Sequence, residues 1–377
     1  MTALLGKLFD DGSFTEIQKH EDSGITAGFG RVGDFKVYAY IQNIGVKSGA
    51  VNKNAAAKMK KIYADAVKYG APLVAVFNSK GGEIGEGIEL IEAYSGIIAD
   101  CTRLSGVVPL ISVVTGQCSG LNASLCRISD IVIMTEEAEM FFTPPFLGGE
   151  SQKNAADIIV KTAEEAVLIA RDLLSVLPPN NLETPSCLDY EQKIELSKVT
   201  AFETLNNTTV GFVTLGEKPD ADDTAKIARF VNFCDAFSIP VVTIIDNEGF
   251  EADVSICDTA RLAQIYASAT TPKINLIAGK AAGAAFIITG GFGSDFIIAY
   301  ETAVISPVPV KTAAAFLEMS EGDYIENHAG VRNALKKGYI DMVINPEEAR
   351  SALITALEAV RSKRVDSPKR KHINLVF

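Results

Sequence analysis

The sequence lacks what a membrane protein, a nucleic-acid binder or a zinc protein would need. Apolar runs such as Val107–Thr115 and Ile131–Met134 fall far short of the roughly 20 residues of a spanning helix. No direct membrane insertion is expected. Met1–Asp10 carries one lysine and a short apolar patch, without the small-residue cleavage site of a secretory signal, so a cytoplasmic location is the expectation. Acids outnumber bases 47 to 35, for a net charge of −12. That balance repels a phosphate backbone, and no aromatic-plus-basic stripe offsets it, so nucleic acid is not an expected partner. Cys101, Cys118, Cys126, Cys187, Cys234 and Cys257 include no Cys-x-x-Cys pair, and only His20, His328 and His372 could join them. No metal site is expected, and free thiols in a reducing compartment fit this scatter. Nucleophile elbows of the type Gly-x-Ser-x-Gly are missing as well. Gly28-Phe29-Gly30-Arg31-Val32-Gly33 has dinucleotide-loop spacing, but it lies in a hairpin rather than between a strand and a helix, which removes that reading.

What remains is a chain of 377 residues, 47% hydrophobic and 22% charged, long enough to bury two cores. A turn-rich opening is expected over Lys7–Ile17. A hairpin should follow, with strands Ile25–Val32 and Lys36–Ile41 joined at Gly33-Asp34. Helix Lys53–Lys68 ends at Gly70-Ala71-Pro72, and strand and helix then alternate in the manner of a parallel α/β sheet. The predicted divisions are a first domain over 1–177, a polar linker over 178–199 and a second domain over 200–377. Punctuation repeats between the halves. Helix Asp223–Phe237 leads to Ile239-Pro240 as the earlier helix leads to Ala71-Pro72. Gly116 and Gly279 each lie seven positions after a proline, and Asp130 and Asp295 head the strands that follow. Such matched spacing points to a duplicated fold.

In each half a strand runs into a glycine-containing turn that opens a helix, at Gly116–Leu121 and at Gly279–Ala285. The first N–H groups of a helix lack internal partners and can bind a developing oxyanion. Small residues there let a ligand carbonyl approach the backbone; they also let a helix pack closely on a sheet, and both readings stand. Lys53, Lys58, Lys60 and Lys61 read either as contacts for CoA phosphates or as a solvated helix face.

Several segments resemble one family, the carboxyltransferase subunits of biotin-dependent acyl-CoA carboxylases and decarboxylases. The similar segments are Leu8-Phe9-Asp10-Asp11-Gly12-Ser13-Phe14-Thr15-Glu16, Lys68-Tyr69-Gly70-Ala71-Pro72, the run from Asp223 to Pro240, and Gly338-Tyr339-Ile340-Asp341 with Asn345-Pro346-Glu347-Glu348 and Arg350. Lys369-Arg370-Lys371-His372 is also similar to the family ending. The resemblance implies two tandem crotonase-like α/β domains, the first serving the acyl-CoA and the second the biotin. It puts the first oxyanion peptide on Gly120 and Leu121 and the second on Ala284 and Ala285, with Gly81, Gly82, Ser119 and Gly283 at the substrate. It further implies a CoA thioester substrate and biotin on a separate carrier protein, since no Met-Lys-Met motif occurs here. Implied partners are a biotin carboxyl carrier protein, a biotin carboxylase or a membrane decarboxylase subunit, and further copies of the chain as a dimer or a trimer of dimers.

The sequence departs from the family at four places. Ser79-Lys80-Gly81-Gly82-Glu83 carries an acid where the family has arginine. Ser48-Gly49-Ala50 replaces a Gly-Gly-Ser, Leu121 replaces a glycine, and a glycine-rich loop has shrunk to Asn247–Ala252. Two alternatives follow: a non-catalytic paralogue that binds CoA or scaffolds a complex, and a hydratase or isomerase using Glu83 and Glu86 as acids.

Overall fold

The computed structural model describes residues 2–19, 23–184, 192–366, 373, 374 and 376. His20, Cys187 and the Lys369–His372 motif lie outside them. The chain divides into two compact units, Met1–Cys187 and Leu188–Phe377.

The first unit runs α1 (Thr2–Leu8), β1 (Thr15–Glu16), β2 (Ile25–Val32), β3 (Phe35–Gln42), α2 (Lys53–Tyr69), β4 (Leu73–Ser79), α3 (Ile88–Thr102), β5 (Leu110–Ser119), α4 (Leu121–Ile128), β6 (Ile131–Thr135), β7 (Glu139–Phe141), β8 (Ile158–Val160) and α5 (Ala163–Val176). Its sheet has the order β1-β2-β3-β4-β5-β6-β8, with β7 paired to β5. β1, β2 and β3 are antiparallel and the other pairings are parallel. Central parallel strands are covered on both faces, which is why Leu73, Val74, Ala75, Val76 and Phe77 form an unbroken apolar run and are all buried. Asn52 starts α2 by accepting from Ala55 N, and Gly70 ends it in the left-handed region at φ 59, as cap chemistry requires. Met59, Ile62 and Tyr63 of α2 join Ile97 of α3 in one core; full burial of such a side chain contributes about 1.5–3 kcal/mol.

Two features of this unit differ from the sequence-based expectation. The opening is partly helical, because Leu5 and Leu8 lie on one face of α1 and are buried, and an apolar stripe of that period favours a packed helix. Thr115–Ser119 is strand rather than turn. The far end of β5 finds its own partner, with Gln117, Cys118 and Ser119 opposite Glu139, Met140 and Phe141.

The second unit comprises β9 (Lys193–Glu195), β10 (Thr200–Leu205), β11 (Thr208–Leu215), α6 (Ala221–Ala236), β12 (Val241–Asn247), α7 (Ile256–Ser268), β13 (Lys273–Ala282), α8 (Gly283–Ile288), β14 (Phe296–Tyr300), β15 (Val304–Ser306), α9 (Val310–Phe316), α10 (Glu321–Tyr324), α11 (Val331–Lys336), β16 (Met342–Ile344) and α12 (Ala349–Val360). The sheet order β16-β14-β13-β12-β11-β10-β9, with β15 on β13, is the same path read from its other end. β4 and β12 even bulge at the same point, before Ser79 and before Asn247. β9 lies inside the stretch expected to be linker; its pairing with β10 supplies order that its own polar sequence does not. Three short helices, α9 to α11, occupy the interval between β15 and β16, where the first unit has only two 3-10 turns. Among the described residues no helix is long and apolar enough to cross a membrane.

Candidate active site

In the first unit the candidate residues gather at the carboxyl ends of β4 and β5. Beyond its bulge β4 ends at Ser79, whose Oγ accepts from Gly81 N at 3.1 Å. Gly81 O accepts from Val51 N at 2.9 Å, and Glu83 N donates back to Val51 O at 2.9 Å. Ser119, the last residue of β5, donates from Oγ to Ser79 O at 3.3 Å. A Cβ on Gly81 would lie 3.7 Å from that Oγ, whereas one on Gly82 would strike Leu90 and Tyr94 at 2.8 and 2.9 Å. Gly81 therefore borders Ser119, and Gly82 packs inward on α3. Gly120, at φ 62 and ψ −135, turns the strand into α4, a conformation that needs glycine. Its N–H donates to Phe141 O at 3.0 Å. The peptide expected to offer Gly120 and Leu121 thus has one N–H committed to β7. The Leu121 N–H, first in the helix, donates to no group among the described residues, as helix starts require.

The second unit repeats the device. Gly283, at φ 62, follows β13 and opens α8, and a Cβ on it would meet only Pro307 O, at 3.4 Å. Ala284 is exposed and Ala285 buried. Asn247 stands where Ser79 does and accepts from Gly249 N at 2.7 Å, again two residues ahead. Gly116 and Gly279 are required by close approach: a Cβ there would lie 2.5 Å from Asn78 Oδ1 and 2.3 Å from Asp246 Oδ1. A cavity of about 500 Å³ borders the far end of α8, lined by Phe286, Ile287, Phe292, Pro307, His328 and Tyr339 among others. None of Gly283, Ala284 and Ala285 lines it.

Other candidates are engaged with neighbours in the fold. Lys58 is buried and donates to Ile25 O at 2.9 Å; burial lowers its pKa. Lys53 pairs with Glu89 at 3.2 Å, Lys60 with Glu92 at 4.0 Å and Lys61 with Asp65 at 2.7 Å, so each of these lysines has an acid beside it. Glu83 meets Lys47 Nζ at 2.8 Å and Asn52 Nδ2 at 3.2 Å. The Lys47 hydrogen bond holds its carboxyl below the usual range. Glu86 accepts from Lys53 N at 2.7 Å, capping α2. Both acids are engaged in these contacts, rather than free to move a proton as a hydratase would need. Among the described residues no group of three or more His, Cys, Asp or Glu could hold a metal ion. Sequence reasoning missed Asn122, whose Nδ2 donates to Ser79 Oγ at 2.9 Å; the only hint was a polar residue directly after a small-residue turn.

The carboxyl transferase domain family matches residues 7–149 and 190–375. The chain belongs to that family. Methylmalonyl-CoA decarboxylase subunit alpha of Veillonella parvula is 28% identical, over 98% of this carboxyl transferase and 92% of its own length. The propionyl-CoA carboxylase beta chain of Roseobacter denitrificans is also 28% identical, with the same coverage. Both alignments exceed 460 positions against 377 residues here, so the relatives carry segments this chain lacks. Among solved structures, the transcarboxylase 12S hexamer with hydrolysed methylmalonyl-coenzyme A bound superposes with a TM-score of 0.92 at 26% identity, covering 100% of this chain and 92% of that one. The two eight-stranded units are therefore the crotonase-like pair of a carboxyltransferase, and the chain is an enzyme of that class.

Proposed function

We propose that this carboxyltransferase moves a carboxyl group between carboxybiotin on a separate carrier protein and the α-carbon of an acyl-CoA, as a subunit of a biotin-dependent carboxylase or decarboxylase. The observation that carries the reading is the repetition of one backbone device. At Gly120 and at Gly283 a glycine of positive φ follows a strand and starts a helix, whose first N–H groups have no intrahelical partners.

When the α-carbon gives up its proton or its carboxyl group, negative charge moves onto the thioester oxygen. A donor already aimed there lowers the barrier; removing one such donor costs about 2.7–4 kcal/mol. In the first unit that donor is the Leu121 N–H, with Gly81, Gly82, Ser119 and Gly120 shaping a backbone-lined approach. Ala284 and Ala285 offer the corresponding N–H groups to the ureido oxygen of biotin. The small residues suit a flat ring: a Cβ on Gly283 would have only Pro307 O near it, at 3.4 Å, and Ala284 is exposed and carries only a methyl group. Biotin, when docked, supplies the activated carboxyl group. On this reading residues 1–177 serve the acyl-CoA and 200–377 the biotin, in the cytoplasm. Partners are a biotin carboxyl carrier protein with a biotin carboxylase or a membrane decarboxylase subunit, and copies of the chain assembled like the hexamer of transcarboxylase 12S.

The test is exchange of labelled carboxylate between malonyl-CoA or methylmalonyl-CoA and free biotin. Wild-type protein is expected to exchange label. Leu121→Pro should lose at least about 100-fold in rate, since it deletes one oxyanion N–H at a helix position that accepts proline. A wild-type protein that binds CoA yet exchanges nothing with either ester would overturn the proposal in favour of a non-catalytic paralogue.

A further inference from the structure

The loop that follows β4 contains Gly81 and Gly82, and two consecutive glycines leave a backbone free to adopt many conformations. In the first unit it is fastened on both sides. Val51 and Ser48 hold one side, through Val51 N to Gly81 O at 2.9 Å and Lys80 N to Ser48 O at 3.1 Å. Ser79 holds the other. Its hydroxyl donates to Gly81 O at 3.2 Å and accepts from Gly81 N at 3.1 Å and from Asn122 Nδ2 at 2.9 Å. One proton and two lone pairs are all a serine hydroxyl has, so its capacity is filled. Asn122 sits in the first turn of α4, directly after Leu121.

Packing does not explain an asparagine at this place. Asn122 is fully buried, and its Oδ1 accepts no hydrogen bond among the described residues. A buried acceptor without a partner destabilises a fold. The matching position of the second unit, two residues after Gly283, is Ala285, also buried, so a methyl group suits the turn. There the link is missing altogether. Asn247 turns its Nδ2 to Glu217 O rather than to α8, and Ala282 stands in place of Ser119.

We infer that Asn122 is a positioning residue: acting through Ser79, it locks the 79–82 loop to the start of α4, so that the Leu121 N–H and the loop backbone hold one geometry as charge develops on the thioester oxygen. The inference rests on the reading of the first unit as the thioester site. Asn122 touches no reacting atom. Its contribution is the alignment of groups that do, and small misplacements of such groups are costly.

The test uses the full chain with Asn122→Ala and Ser79→Ala, which cut the same link from its two ends, and the double variant. Two quantities are read: amide hydrogen exchange over residues 79–87, and the kcat and KM of carboxylate exchange. Both single variants are expected to speed amide exchange in the loop while leaving that of α5 unchanged. Each should lower kcat about tenfold with KM for the CoA ester within about twofold. The double variant should be no slower than Ser79→Ala alone, because Asn122 reaches the loop only through the Ser79 hydroxyl that this variant already removes. Unchanged loop protection in both single variants would overturn the inference whatever the rates, and so would losses that multiply in the double variant. If wild-type protein transfers no carboxylate, the proposed function fails on its own, and loop protection still decides whether Asn122 fastens the loop.

Discussion

Asp130 and Asp295 occupy corresponding points in the two units, each just ahead of the strand that follows a glycine-started helix. Each accepts a hydrogen bond from the first N–H of the preceding strand, Leu110 N at 2.8 Å and Lys273 N at 2.7 Å. Their electrostatic settings differ. Lys363 Nζ lies 2.8 Å from Asp295, whereas burial, reinforced by the charge of Asp157, pushes Asp130 up to about 7. The cation arrives three residues beyond α12, where the matching place beyond α5 is Pro179. The comparison teaches that a duplicated fold keeps what the backbone needs, a cap on a strand start, while charge compensation follows whatever each copy brings nearby. The same holds at the candidate sites. Both units keep the glycine that follows the strand and a side chain, Ser79 or Asn247, that holds the loop beside it; among the described residues only the first ties that loop to the helix, through Asn122.

Four predictions sharpen or break this comparison. The largest effect is expected where the units share a device and use it differently. Leu121→Pro and Ala284→Pro should each slow carboxyl exchange with free biotin at least about 100-fold. Only Leu121→Pro should also stop solvent deuterium from entering the α-carbon of propionyl-CoA. Equal loss of deuterium uptake in both variants would contradict the division of labour. Next come Gly116→Ala and Gly279→Ala. Because each added Cβ would collide with the residue on the neighbouring strand at about the same distance, each should destabilise by about 1–3 kcal/mol. Urea unfolding reads this, and strongly unequal losses would show that the two bulges are not equivalent.

Asp130→Asn should separate the units electrostatically. A carboxyl whose pKa is near 7 when folded and about 3.9 when unfolded holds its proton longer in the folded state. Its contribution is therefore greatest below about pH 4 and is lost as pH rises toward 7. The amide of the variant cannot ionise, so its stability should gain about 1–2 kcal/mol relative to wild type between pH 5 and pH 8, allowing for partial exposure. Unfolding midpoints at the two pH values measure this; parallel curves for variant and wild type would refute it. The smallest effect is expected for Glu83→Gln, because that carboxylate is engaged with Lys47 and Asn52 on the surface. Carboxylate exchange should stay within about twofold of wild type, and crotonyl-CoA should not be hydrated. A large loss would return Glu83 to the chemistry.

Much of the fold was legible from local chemistry. Gly33-Asp34 marked the hairpin, Gly70-Ala71-Pro72 the end of α2, and the apolar run at Leu73–Phe77 a doubly covered strand. The segments that misled were those whose state depends on a partner far along the chain. Thr115–Ser119 looks like a turn until β7 pairs with it, and Lys193–Glu195 looks like linker until β10 does. Polar side-chain pairs stayed hidden for the same reason: Lys47 and Glu83 are 36 residues apart, and Asn122 and Ser79 are 43 apart.

By itself the sequence determined the duplicated order of strands and helices, the glycines at which each half turns from strand to helix, and the family to which those turns belong. These rest on preferences that act within a few residues, through φ values open only to glycine, caps and hydrophobic period. Only the tertiary structure decided which N–H groups are left for a ligand, since Phe141 O takes that of Gly120 and leaves that of Leu121. It alone decided, too, which charges are spent on each other. A hydrogen bond or an ion pair between distant residues exists only once the sheet has brought its strand ends together.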